Sequence, residues 1–371
     1  MLEEVQQNQS VIPPIIPAGG KTRRRGRRFL LIIFLTVIIV VAGIGFLVLS
    51  PKGPLTVAPP YPIAAAGPRP PVLLIHGYGF FNTCPSDDGT KKWGAVTQFL
   101  QTQGWQNIQR LGYYVCDLNQ DVYLDNFGRF PQADMRNHDE YYATSACTCT
   151  AHQSATDGRL SHTKNTDIRH LAYHLAWYIW DTYARFNQPV VIVAHSMAGL
   201  IVRWMLYALE NPQTVGQGIF PPRVFIPQIV ELSVPNAGIN FIGEAVPTYQ
   251  AQEMNANSSF LQELDANALY PQAAGGTDWT LIGNYPFDQD LVVSAASATA
   301  MDHVHRVLYF DTSIYSHNDI LNDASTQRDA HIYRCDLCSH TDRIINGNFT
   351  RYTNMPHSLA YINAALLSNS W

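Results

Sequence analysis

The stretch VIVAHSMAGLIVR, Val191 to Arg203, places Ser196 between a β-branched apolar run and a run with helical spacing. A strand, a sharp turn and a helix in that order lift a hydroxyl clear of a sheet. They leave it at a helix N-terminus, where unpaired amides and the dipole favour negative charge. A serine there serves as a nucleophile, or it simply caps the helix. The nucleophile reading needs small residues two before and two after the serine, where strand and helix nearly collide. Ala194 and Ala198 occupy those positions, with Gly199 beside them. The amide of Met197 then points at a developing oxyanion. His195 is adjacent in sequence, points away from the serine, and reads as packing in the turn rather than as its base.

Other stretches carry residues of the matching chemistry. PVLLIHGYG (Pro71 to Gly79) ends an early strand in a His-Gly turn, and ELSVPNAG (Glu231 to Gly238) follows the serine. DQDLVVSAASA supplies Asp288 and Asp290, and SIYSHNDIL supplies His317. In this order and separation they resemble the α/β-hydrolase superfamily, and more narrowly its bacterial-type serine lipase and carboxylesterase branch. The resemblance runs from about Pro71 to the C-terminus. Ser196 sits in A-x-S-x-A rather than G-x-S-x-G, a departure of one methyl group at each end. Asn236 stands where the family's Ser/Thr-Pro-His-x-Gly turn has histidine, and Leu291 stands where the acid's turn has glycine.

The resemblance implies the remaining roles. The backbone amide after His-Gly, that of Tyr78, joins Met197 in an oxyanion hole. Chain order in the family is nucleophile, acid, histidine, so Asp290 is the candidate acid, with Asp288 its nearest rival. His317 is the candidate base, with His357 in MPHSLAYI as second choice. His303 and His305 precede the last strand, on the wrong side, and read as solvent-facing; His76 reads as shaping its own loop. His317 then takes the Ser196 proton while Asp290 holds the imidazole tautomer. No cofactor and no metal is implied.

These residues need a scaffold that brings them to one edge. From Val72 onward short β-branched runs alternate with helix-length segments, the pattern of a mostly parallel sheet with helices on both faces. Strands are expected at Val72 to Ile75, NIQRLGYYV, Val190 to Ala194, RVFIPQIVEL and DWTLIG, with HRVLYF as the last. Helices are expected over KKWGAVTQFLQTQG, closing at Gly104, over Thr166 to Phe186 with Asn165 or Thr166 as cap, and over SLAYINAALLSN. Two excursions, near 117–165 and 236–276, interrupt this order and read as cover for the site.

Composition sets the outer limits. With 371 residues, 46% hydrophobic and 14% charged, the chain can bury a large core. A net charge of −5 gives no global basic field, which argues against nucleic acid as a partner. Positive charge is concentrated in residues 1–28, where Lys21, Arg23, Arg24, Arg25, Arg27 and Arg28 crowd together. There follows an uncharged apolar run, Phe29 to Leu49, long enough as a helix to cross the ~30 Å of a bilayer core. It reads as an uncleaved single-pass anchor, with the basic tail cytoplasmic and all that follows on the periplasmic or extracellular side. Residues 50–70, rich in Pro, Gly and Ala, read as an extended stalk, and 71–371 as the hydrolase domain.

Six cysteines, Cys84, Cys116, Cys147, Cys149, Cys335 and Cys338, are expected as disulfides in an oxidising compartment. A four-thiolate zinc site from CTC and CDLC is the alternative. Asn257-Ser258-Ser259 and Asn348-Phe349-Thr350 match the glycosylation pattern. The expected protein is a membrane-anchored serine hydrolase of carboxylic, lipid-like esters, its partners an ester substrate and the bilayer. An acyltransferase or thioesterase using the same serine is the alternative enzyme, and a non-catalytic interaction domain on a hydrolase-like scaffold the alternative class. Oligomeric state leaves no trace in the sequence.

Overall fold

Val72, Leu73, Leu74 and Ile75 are all buried without residue, which is why this strand reads as a continuous apolar run and not as an alternation: both of its faces are covered. The computed structural model describes residues 55–57, 68–79, 88–114, 117–128, 164, 166–215, 218–239, 248–267, 271–285, 290, 292–302, 304–310, 317–323, 331–338, 350–353 and 357–367.

Among the described residues ten strands form one sheet: β1 Leu55–Val57, β2 Val72–Ile75, β3 Ile108–Gly112, β4 Val122–Tyr123, β5 Val191–His195, β6 Gln228–Leu232, β7 Asp278–Tyr285, β8 Val304–Phe310, β9 His331–Cys338 and β10 Thr350–Thr353. Their order is β1-β10-β9-β8-β7-β6-β5-β2-β3-β4. From β4 across to β8 every neighbouring pair is parallel, while β8, β9 and β10 continue antiparallel. The helices among the described residues are α1 Gly89–Thr102, α2 Ile168–Thr182, α3 Met197–Glu210, α4 Pro212–Val215, α5 Tyr249–Glu253, α6 Ser259–Asn267, α7 Ala295–Ala298 and α8 Ser358–Leu367.

Alternation along the central strands divides the core in two. Leu73, Ile75, Ile192 and Ala194 face α2 and α3, and Val72, Leu74, Val191 and Val193 face α1 and α8. This is the period-two geometry of a strand acting on sequences that are apolar at every position. α1 begins at Asp88, whose side chain accepts from the amides of Thr90 and Lys91, and the chain leaves it through Gly104 at φ +89°, as expected. Asp88→Ala is expected to cost about 1 kcal/mol, read as a lower urea midpoint at unchanged slope.

Three expectations need correction. α2 is capped by Asp167, whose carboxylate accepts from the Arg169 amide at 2.6 Å; Thr166 instead offers its carbonyl to Gln250. HRVLYF is not the last strand, since β9 and β10 follow it. Leu55–Val57, inside the supposed stalk, pairs with β10 as an edge strand. The second excursion contains α5 and α6. The basic tail 1–28 and the apolar run 29–49 lie outside the described residues. Among the described residues no helix is long and apolar enough to cross a membrane.

Candidate active site

β5 ends at His195 and α3 begins at Met197, so Ser196 alone makes the turn, at φ 57° and ψ −133°. Positive φ is costly for a residue with a Cβ and persists only where the surroundings fix it. Here the Ser196 amide donates to the Leu232 carbonyl at 2.9 Å, and the Ser196 carbonyl accepts from Gly199 at 3.1 Å. The approach of neighbours is just as tight. A Cβ on Gly77 would fall 2.4 Å from the Ser196 Cβ and 2.9 Å from its Oγ. A Cβ on Gly199 would fall 2.5 Å from Val234. Gly77 and Gly199 thus leave no room for a side chain.

The structure brings Ser196, His317 and Asp290 together from the ends of three strands. His317 Nε2 lies 2.8 Å from the Ser196 Oγ. Its Nδ1 lies 2.9 Å and 3.1 Å from the two oxygens of Asp290. Asp290 Oδ1 also accepts from the amides of Val292 and Val293, at 3.0 and 2.9 Å. Because a carboxylate only accepts, Nδ1 carries the imidazole proton, which leaves Nε2 with a free lone pair toward the serine hydroxyl. His195 does not reach the serine. Its Nε2 lies 2.8 Å from the His317 carbonyl, and burial holds its own pKa well below the usual value. A neutral His195 thus donates to the backbone of the histidine that faces Ser196.

On the other side of the serine, His76-Gly77-Tyr78 is pinned at both ends. His76 Nδ1 faces the Gly77 carbonyl and Nε2 faces Asp117 Oδ2, each at 2.9 Å. Its ring stacks on Tyr113 at 4.2 Å. Asp117 also accepts the Tyr113 and Tyr114 amides at 2.8 and 2.9 Å, while the Tyr113 hydroxyl donates to the His76 carbonyl at 2.5 Å. Tyr78 is tied by its hydroxyl to Thr248 at 2.8 Å, and burial raises its phenol pKa. The Tyr78 amide follows directly on the glycine that touches Ser196. The Met197 amide opens α3, where the first N–H groups have no partner within the helix.

The second excursion is sewn down beside this loop. Gln250 donates through its backbone to the Lys164 carbonyl at 3.0 Å and through its side chain to Thr166 at 2.8 Å. It accepts from the Tyr114 hydroxyl at 2.5 Å. Glu253 accepts from the Ile168 amide at 2.9 Å. Buried polar contacts of this kind make α5 a fixed wall, not a flap.

Beneath the turn lies a buried polar chain. Asn236 donates to Glu231 Oε2 at 2.6 Å. Arg203 donates to the Asn236 carbonyl and side-chain oxygens, both at 3.1 Å, and to Asp265 at 2.8 Å.

The other candidates stand apart. His357 sits at the start of α8, its ring edge-on to Phe99 at 5.0 Å. His305 does not face solvent: it is buried and its Nε2 lies 3.1 Å from Asp278, at the opposite end of β7 and β8 from His317. Asp288 and His303 lie outside the described residues, as do all six cysteine side chains, so the disulfide and zinc readings fall there too. Among the described residues no group of three His, Cys, Asp or Glu could hold a metal. Asp117, Thr248 and Glu231 were not singled out in the sequence, whereas Gly77 was quoted there as part of the His-Gly turn.

No family model matches the chain, and no curated protein does. Among solved structures it is similar to phospholipase PlaB from Legionella pneumophila, at 14% identity and TM-score 0.42, covering 82% of this chain and 60% of that one. In complex with thio-NAD the same phospholipase is matched over 45% of its length, so the chain spans about half to three fifths of it. Aspergillus fumigatus lipase B is similar at 12% identity and TM-score 0.39, with 85% and 66% covered. The mature lipase BlEst2 of Bacillus licheniformis follows at 11% and 0.37, with 71% and 91% covered.

Proposed function

We propose that this chain, which has the fold of the α/β-hydrolase superfamily, is a serine hydrolase that cleaves carboxylic esters, lipid esters among them, through an acyl-enzyme on Ser196. The observation that carries this reading is the unbroken hydrogen-bond path from the Ser196 hydroxyl through His317 to Asp290. A serine that merely capped α3 would have no use for it; the Ser196 side chain makes no capping bond.

In this reading His317 Nε2 removes the hydroxyl proton as Oγ attacks the ester carbonyl. Asp290 keeps the ring in the orientation and tautomer that allow it and stabilises the imidazolium. The amides of Tyr78 and Met197 receive the carbonyl oxygen as it gains charge, and each such donor is worth about 3–4 kcal/mol of barrier. His317 then protonates the leaving alcohol, and a water activated at the same nitrogen releases the acyl group. The basic tail and the run Phe29 to Leu49 support a single-pass anchor holding the domain on the non-cytoplasmic side, where lipid esters are at hand.

Treated with a fluorophosphonate in detergent, the full chain is expected to be modified at Ser196, located by peptide mass spectrometry. His317→Ala is expected to lose the label. A folded protein that takes none would end the serine reading. In intact cells a membrane-impermeant fluorophosphonate is expected to reach Ser196; labelling only after lysis would overturn the orientation.

A further inference from the structure

The geometry points to Glu231 as a positioning residue of this reaction: from beneath the nucleophile's helix, its charge sets the field in which the Ser196 oxyanion forms. This rests on the serine reading above. Glu231 lies on β6 beside Ala194 of β5, two residues before the serine. Its carboxylate packs against the first turn of α3, since a Cβ on Gly199 would meet Glu231 Oε1 at 2.8 Å. The side chain is buried, Oε2 has the Asn236 amide at 2.6 Å, and Oε1 has no hydrogen-bond partner.

The charges around it are few. From α3 comes Arg203, fully buried, and from α6 comes Asp265, which takes the guanidinium at 2.8 Å. The flanking strands present Ala194 and Leu281 in register. The loop after β6 presents Asn236, which also reaches the Ala298 carbonyl of α7 at 3.4 Å. Arg203 and Asp265 balance each other, so a proton on Glu231 leaves the cluster neutral and its loss leaves one negative charge. That charge stands behind the helix N-terminus on which the oxyanion relies, and like charges in a buried site oppose each other. Burial pushes the Glu231 carboxyl up to about 7, against the pull of Arg203 and the Asn236 hydrogen bond, so the change falls near neutral pH.

The test is the rate of fluorophosphonate labelling of the full chain in detergent between pH 5.5 and 9. The native protein is expected to lose rate roughly three- to tenfold as Glu231 ionises, the size of a unit charge acting at an effective dielectric near 20. Glu231→Gln is expected to lack that fall. Asp265→Asn, at a half-exposed position, gives Arg203 to Glu231 as its counter-charge and is expected to move the falling limb to lower pH. It covers the case in which Glu231→Gln does not fold. A falling limb unchanged in both variants, or none in the native protein, would overturn the role of Glu231 alone. No labelling at any pH would remove the serine reading, and this inference with it.

Discussion

Asp290→Asn is expected to lower ester hydrolysis by about 10⁴-fold while leaving the fold intact. The hydrogen bonds say why. Asp290 Oδ1 accepts the Val292 and Val293 amides, so an asparagine will keep its oxygen there and turn its NH2 toward His317 Nδ1. Two donors cannot face each other. The ring must therefore move its proton to Nε2, where it points at the Ser196 oxygen and can no longer accept from it. The measurement is kcat on a short-chain nitrophenyl ester with the thermal midpoint read alongside. A loss below tenfold would show that Asp290 is not the group that holds the ring.

Gly77→Ala is the second large effect, and its cause is space. The added methyl would stand 2.4 Å from the Ser196 Cβ and 2.8 Å from the His195 carbonyl, neither of which is a flexible side-chain end. Something must shift, and the loop that shifts carries the Tyr78 amide. Loss of that donor together with a displaced nucleophile is expected to cost at least about 10³-fold in kcat/KM, since one oxyanion donor alone accounts for 10²–10³. Labelling at Ser196 should slow in parallel. Near-native kcat/KM in this variant would mean that the amide after Gly77 does not serve the oxyanion.

What could be read from the sequence divides along a physical line. Ser196 was legible because the turn demands small neighbours on both sides, a purely local constraint. Asp290 and His317 were legible only through chain order and the residues flanking them; nothing local marks an aspartate as the partner of a histidine 27 residues away. Asp117 was hidden for the same reason. It braces His76 from 41 residues away, inside a stretch with no period. The central strands were plain because burial on both faces makes them uniformly apolar, whereas β1, β9 and β10 lie toward one edge, where that signature is absent. The Asp167 cap was missed by one residue, since Asn165, Thr166 and Asp167 are all good caps and only packing chooses among them. Glu231 was quoted as the start of ELSVPNAG yet passed over, because a charge within a strand gives no hint of what it lies against.

The histidine that completes the hydrogen-bond path stands 121 residues beyond the serine it serves. A nascent chain that has emerged only through β7 holds Ser196 but has no acceptor for its hydroxyl proton. On the proposed mechanism the half-made protein is chemically silent, and reactivity switches on only when β8 docks and delivers His317. Synthesis order thus does for this molecule what a removable pro-segment does for others.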